Sequence, residues 1–268
     1  MSNAQFPRLS NPIRRLLFQL FYEYISILDK EAKALFLNYG YADLDADAES
    51  LELLPEEEKH RYSVQLYHHV ASAIDWTGLQ ALELSSGRGG GAWYIMRQFR
   101  PASIVGVDPS INAIRFCNRY YAMDGLSFLQ GRAEHLQFPD NTFDVVTNIE
   151  ASLHYANMEA FVNEVVRVLK PGGYFLYTDF RHMEEIDQWR LQLDHPDLRL
   201  VEEEDITPNV VRSLELDAGR TRELIDQYVP RPLRKPIGLF AGNFGTGFAR
   251  GTPKPGERVH LNFVFRRR

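Results

Sequence analysis

The stretch Leu82-Glu83-Leu84-Ser85-Ser86-Gly87-Arg88-Gly89-Gly90-Gly91-Ala92 limits what this chain can fold into more than any other. An apolar strand pattern runs straight into glycines, and a helical pattern follows. Such a turn lets the backbone approach a ligand closely, and the next helix offers unpaired N–H groups at its N-terminus. In open α/β sheets this arrangement opens a cofactor site at the carboxyl ends of the strands. Gly87-x-Gly89-x-x-Ala92 fits the permissive dinucleotide fingerprint. Glu83-x-Ser85-x-Gly87-x-Gly89 frames the same residues for a second cofactor. The loop alone does not choose between them.

The rest of the chain continues the α/β rhythm. Strand patterns fall at 79–84, 103–108, 126–130, 143–148 and 174–178, with helical patterns at 92–99, 111–122 and 158–169. Pro171-Gly172-Gly173 closes the last of these helices. Short strands alternating with helices predict a sheet covered on both faces. Residues 1–75 read as an N-terminal helical cap, with an acidic, exposed link at 43–58. The core is expected at 76–181 with 257–268, where 260–265 forms the final strand. Between them, 182–256 reads as a helical and loop lid over the carboxyl edge of the sheet.

Composition removes several functions. A net charge of -6 argues against a nucleic-acid-binding surface. Cys117 is the only cysteine, which excludes an intramolecular disulfide and a thiolate zinc site. The first residues are polar and precede no cleavage site, so a cytoplasmic protein is expected. The apolar segment at 13–25 is interrupted by charge and is too short to span a bilayer. It reads either as a helix packed on the domain, roofing a cavity, or as one lying in a membrane interface with Arg14 and Arg15 near lipid phosphates.

Two residues bear on the cofactor. Asp108 ends the second strand about 20 residues beyond the turn, where a carboxylate can accept from ribose hydroxyls. Glu83, inside the first strand, suits a cofactor carrying a sulfonium and an ammonium better than one carrying a pyrophosphate. No second region with a hydride-transfer constellation stands out. Five ordered blocks then carry a resemblance: 82–91, Val107-Asp108, 131–138, Phe143-Asp144-Val145-Val146, and 167–173. In this order the chain resembles the class I S-adenosylmethionine-dependent methyltransferases over roughly residues 80 to 180. The resemblance implies a Rossmann-like sheet, mostly parallel with an antiparallel final strand. It also implies S-adenosylmethionine as cofactor, S-adenosylhomocysteine as product, and no metal. Glu83, Ser85, Gly87, Gly89, Asp108, Ala133, Glu134 and Asn148 would then border the cofactor. Two positions depart from the pattern. Ser85 stands where a glycine is usual, and Arg132 stands where an acid commonly accepts from adenine, which moves that task to the Ala133 amide or Glu134.

A narrower resemblance rests on Glu150-Ala151-Ser152, Phe175-Leu176-Tyr177, Asn209-Val210-Val211-Arg212 and Phe240-Ala241-Gly242. These look like the phthiotriolone/phenolphthiotriolone dimycocerosate O-methyltransferases. Glu150-Ala151-Ser152-Leu153-His154 with Asp179-Phe180 also resembles the rebeccamycin-type sugar O-methyltransferases. Methylation of an alcohol needs an aligned acceptor, a dry site and a base. His154, just after the fourth strand and titrating near neutrality, is the candidate base. Asp179, ending the fifth strand, would orient the imidazole, bind the acceptor hydroxyl, or cap a helix. Glu150, Tyr155, Phe240 and Phe244 are candidates for contact with a small, hydrophobic acceptor. Tyr67 and His69 either close over the cofactor or pack on the core. Three alternatives stay open: C-methylation of an isoprenoid or sterol-like acceptor, a protein that binds the cofactor without transferring its methyl group, and assembly as a homodimer.

Overall fold

The computed structural model describes residues 22–24, 26–29, 32–45, 50–229, 231 and 257–268. Its organising element is β1 (Gln80–Leu84), which buries every residue after the first. β1 is central: it pairs in parallel with β2 (Ser103–Asp108) on one side and β4 (Phe143–Ile149) on the other. β3 (Leu126–Gln130) adds to β2, and β5 (Leu169–His182) adds to β4, both in parallel. β7 (Arg258–Arg267) returns antiparallel beside β5 and pairs antiparallel with β6 (Leu198–Asp205), giving the order β3-β2-β1-β4-β5-β7-β6. This is the expected sheet, with the final strand reversed.

Strand alternation sends neighbouring side chains to opposite faces. Ala81 joins an apolar cluster with Val64, Ile95 and Cys117, whereas Leu82 and Leu84 join Phe161, Val165 and Trp189. Helices α2 (Arg61–Ala71), α3 (Gly90–Phe99) and α4 (Ile111–Tyr120) supply the first layer. Helices α5 (Met158–Val168) and α6 (Ile186–Leu193) supply the second. The order β1–α3–β2 places the glycine turn at the carboxyl edge of the sheet centre.

Two expectations change. The segment 182–256 is not a lid throughout, because β6 belongs to the sheet. Its sequence, LRLVEEED, lacks apolar alternation, and most of its side chains face solvent. Backbone pairing to β7 holds it, and its charges suit an unpaired edge. The helical part follows as α7 (Thr207–Leu216) and α8 (Ala218–Tyr228). The N-terminal cap is likewise less helical than its pattern predicts. Residues 32–45 and 50–54 run without helix, up to the single turn α1 (Pro55–Glu58). Leu35 and Phe36 there are buried against the core, so burial of a loop imitates the apolar content of a helix. Gly40 fixes its path: at a φ of 79° it lies so close to the Tyr62 backbone that a Cβ would sit 2.9 Å away.

Most of the apolar 13–25 segment, together with Phe240 and Phe244, lies outside the described residues. Among the described residues no helix is long and apolar enough to cross a membrane.

Candidate active site

The turn after β1 takes positive φ at Ser85, Gly87 and Gly89, of 56°, 58° and 78°. Asp108 braces it. The Gly87 N–H donates to Asp108 Oδ2 at 2.9 Å, and the Ser110 N–H donates to Oδ1 at 2.8 Å. Ser110 then caps α4 by accepting from the Ala113 N–H. Burial lifts the Asp108 carboxyl to about 6, against the pull of these two donors. The two glycines do different work. Gly87 borders the cavity beneath the Tyr22 hydroxyl, which a Cβ would meet at 3.2 Å. Gly89 faces the sheet instead, where a Cβ would sit 2.7 Å from Phe128 and 2.9 Å from Cys117 Sγ. It allows α3 to pack and does not line the cavity.

The cavity holds about 390 Å³. Ser85, Gly87 and Asp108 line it on the cofactor side, Ala133 and Glu134 at one wall, and Glu150, His154 and Tyr155 after β4. Leu35, Phe36, Leu37 and Ile149 make the remaining wall largely apolar. Tyr22 comes from the 13–25 segment, whose sequence reads as packing on the domain, roofing a cavity, or lying in a membrane interface. Residues 35–38 are not singled out in the sequence; their only local signal is the Asn38-Tyr39-Gly40 turn, in which Asn38 Oδ1 accepts from the Gly40 N–H at 3.0 Å.

Two expected cofactor neighbours stand behind the wall rather than on it. Glu83 lies beneath Tyr67, whose hydroxyl donates to Glu83 Oε1 at 2.8 Å, while Oε2 is buried without a partner. Burial raises its carboxyl to about 8, against the Tyr67 and Ala92 donors. Tyr67 itself lines the cavity, whereas His69 turns away to stack on Tyr41 and reach Glu204 at 2.8 Å. Asn148 donates from Nδ2 to the Leu84 carbonyl at 3.1 Å and to the Tyr155 hydroxyl at 2.6 Å. Tyr155 in turn meets Ser85 Oγ at 2.8 Å. Ser85 is thus both the residue that replaces a glycine and the link from the turn to the post-β4 wall.

His154 closes the short 3-10 turn Ser152–His154. Asp179 lies under that turn and does not line the cavity. Its Oδ2 accepts from Ser152 Oγ at 2.6 Å and from the Leu153 N–H at 3.2 Å, its Oδ1 accepts from the Phe180 N–H at 2.8 Å, and Arg181 pairs with it at 3.3 Å. Fully buried and fully engaged, Asp179 clamps the turn that presents His154. Ser152, unmarked in the sequence, is the hub, for it also bonds Tyr177 and the Arg181 guanidinium.

Glu150 sits at a φ of 51°, strained for a side chain with a Cβ. Its Oε2 accepts from the Tyr39 N–H at 2.7 Å, and its Oε1 lies 3.8 Å from His260 Nδ1. Burial drives this carboxyl well above its ordinary range, with Asp179 adding to the effect, while burial pushes His260 down to about 3.

The cavity suits S-adenosylmethionine on its own chemistry. Asp108 can accept from ribose hydroxyls, the Ala133 backbone and apolar walls can flank adenine, and an acid-biased lining suits a cation. The lining bases change this little: Arg88 is neutralised by Asp29 at 3.2 Å, and Arg132, 59% exposed, leans on Glu134 at 3.6 Å. Glu134 Oε1 also accepts from the Ala156 N–H at 2.8 Å. Among the described residues no group of three or more His, Cys, Asp or Glu side chains could hold a metal ion.

The chain is similar to known methyltransferases. The methyltransferase domain family matches residues 82–177. A fatty-acid O-methyltransferase of Mycolicibacterium smegmatis is 39% identical over 85% of this chain and 82% of its own length. A phthiotriol/phenolphthiotriol dimycocerosates methyltransferase of Mycobacterium tuberculosis is 39% identical over 81% of this chain and 79% of its own. A solved geranyl diphosphate C-methyltransferase from Streptomyces coelicolor A3(2), holding Mg2+, geranyl-S-thiolodiphosphate and S-adenosyl-L-homocysteine, shares the fold. Its TM-score is 0.68 at 17% identity, over 98% of this chain and 100% of that one.

Proposed function

The chain belongs to the S-adenosylmethionine-dependent methyltransferases, and from that premise we propose that it methylates an oxygen atom of a lipid-like acceptor, with His154 as general base. The observation that carries this reading is the shared cavity. His154 and Glu150 line the same space as the glycine turn and Asp108, and the wall of Leu35, Phe36, Leu37 and Ile149 gives an aliphatic acceptor somewhere to lie. The two relatives above are named for fatty acids and for phthiotriol dimycocerosates, both lipids.

S-adenosylmethionine, when bound, supplies a methyl group on a good sulfonium leaving group. The residues of this chain have the remaining tasks. Asp108 and the 85–89 turn fix the donor, and the apolar wall excludes water and aligns the acceptor. For an alcohol, the acceptor O–H bond breaks as the new O–C bond forms and the S–C bond breaks, and the proton passes to the His154 imidazole. The Asp179–Ser152 clamp holds that imidazole in place. Glu150, with Oε1 buried and without a hydrogen-bond partner, is suited to contact the acceptor oxygen.

Incubation with S-adenosylmethionine and a panel of long-chain acids, secondary alcohols and alkenes, followed by mass spectrometry, tests the reading. Methyl esters or ethers support it. A methyl group on carbon overturns O-transfer, and no methyl release with any acceptor class favours a protein that binds the cofactor without transferring from it.

A further inference from the structure

Residues 22–24 and 26–28 are helical, and the sides of this segment are reversed from what water would select. Toward the protein it turns Ser26 and Asp29, 8% and 1% exposed; toward solvent it turns Ile27 and Leu28, 56% and 41% exposed. The polar side is inward for a reason already on the page. The Ser26 and Asp29 carbonyls accept from the Arg88 guanidinium at 3.1 and 2.7 Å, beneath the cofactor turn. Among the described residues nothing comparable explains the apolar side.

Helix α4 continues this surface. Glu23 accepts from Asn112 Nδ2 at 2.6 Å, tying the two elements together. Ile27 then shares a groove with Arg115, Arg119 and Tyr120 of α4. Tyr120 is 48% exposed, and Arg115 and Arg119 stand one turn apart on the outer face. Neither arginine forms an ion pair with a described residue. A protein of net charge -6 thus gathers on one face exposed apolar side chains and two cations without an ion-pair partner among the described residues.

We propose that this face docks on an anionic lipid bilayer, with Ile27, Leu28 and Tyr120 entering the headgroup boundary and Arg115 and Arg119 meeting lipid phosphates. Apolar side chains beside basic ones are what an interfacial surface needs. A second copy of the chain fits less well. A two-fold contact through this patch would set the arginines of one copy near those of the other. The face also lies where docking serves the cavity: Tyr22, on the same segment, lines it, and so does Leu37, which is 54% exposed. A lipid acceptor could pass from the bilayer into the cavity without crossing water.

The full chain is centrifuged with vesicles of phosphatidylcholine alone and of phosphatidylcholine with phosphatidylglycerol. Binding is expected only to the anionic vesicles, and to weaken with salt. Arg115→Gln and Arg119→Gln should each lower it roughly five-fold, and Ile27→Ser and Leu28→Ser each roughly ten-fold or more. Calorimetric binding of S-adenosylmethionine checks that the variants remain folded. Failure to sediment with anionic vesicles, or sedimentation of a variant carrying all four substitutions equal to that of the unaltered chain, overturns the proposal. So does a sedimentation-velocity dimer that the same substitutions split, which would make the face a self-contact. No methyl transfer is read, so an error in the O-methylation reading leaves this outcome untouched.

Discussion

The Ser85 and Tyr155 hydroxyls lie 2.8 Å apart, so the cofactor turn and the wall that follows β4 form one hydrogen-bonded unit. Asn148 completes it by donating to Tyr155 and to the Leu84 carbonyl. Tyr155, expected at the acceptor, therefore also serves the cofactor side, and Asn148 acts through it.

The two ends of this link should respond differently to substitution. Ser85→Gly loses a hydrogen bond worth about 1 kcal/mol but relieves left-handed strain of about 1 kcal/mol, so stability should barely move. Tyr155→Phe strands the Asn148 amide and the Ser85 hydroxyl in a dry site and should cost about 1–3 kcal/mol. Urea unfolding of both variants measures the difference. Equal losses would mean that the Ser85 strain is not released by glycine.

His154→Ala should lower kcat toward an alcohol by about 10²–10⁴-fold while leaving cofactor affinity unchanged. A carboxylate acceptor arrives without its proton and needs no base, so turnover of a fatty acid should survive the same substitution. Parallel assays with the two acceptors decide whether the imidazole takes a proton or only fills space.

Asp179→Asn keeps the shape of the clamp and removes the charge facing Arg181. Uncoupling a buried ion pair should cost about 3 kcal/mol or more, and the loosened 152–154 turn should lower kcat without raising KM in proportion. Thermal unfolding and steady-state kinetics on one preparation separate the effects. Unchanged kcat in a folded variant would remove Asp179 from the positioning of His154.

The free protein should lose stability as pH rises through the neutral range. The Glu83 carboxyl titrates near 8 in the folded chain against about 4.5 ordinarily, and Asp108 near 6 against 3.8. Between those limits the folded state holds protons that the unfolded state has released. The contribution of these two groups is thus greatest below the lower values and falls with rising pH, by up to about 1.4 kcal/mol per unit for each. His60 and His260, held down to about 3 by burial, oppose it below about 6.5. The net fall is therefore read between pH 6.5 and 8, where Glu83 acts alone of these four. Glu83→Gln keeps an acceptor for Tyr67 and should flatten the slope between pH 5 and 8. Denaturant midpoints between pH 6.5 and 8 test the sign.

How much could be read from the sequence depended on what held each element. The central parallel strands β1, β2 and β4 were legible because most of their residues are buried on both faces and apolar. β6 was not, since an edge strand is held by backbone pairing that side-chain pattern does not record. At the site, the glycine turn, Asp108, Glu150 and His154 were legible as a group because consecutive strand ends deliver them to one edge. Gly89 and Asp179 share that edge yet turn inward, and spacing cannot report the side to which a residue turns. The loop wall at 35–38 left almost no trace, because a buried loop has no period.

The ion pair of Asp29 with Arg88 bears on how divisible this chain is. Both side chains are wholly buried, and the Tyr228 hydroxyl of α8 donates to the same carboxylate at 2.7 Å. One acid from the start of the chain thus holds a cofactor-loop cation and a late helix together. The stretch that carries the family pattern is therefore not a transplantable module. Cut out alone, or grafted into another protein, it would carry a guanidinium in a dry pocket with no counter-charge. For anyone shuffling methyltransferase segments, the usable cassette is set by that charge and not by the motif: it begins before residue 29 and runs past residue 228 to β7, which holds β6 on the sheet.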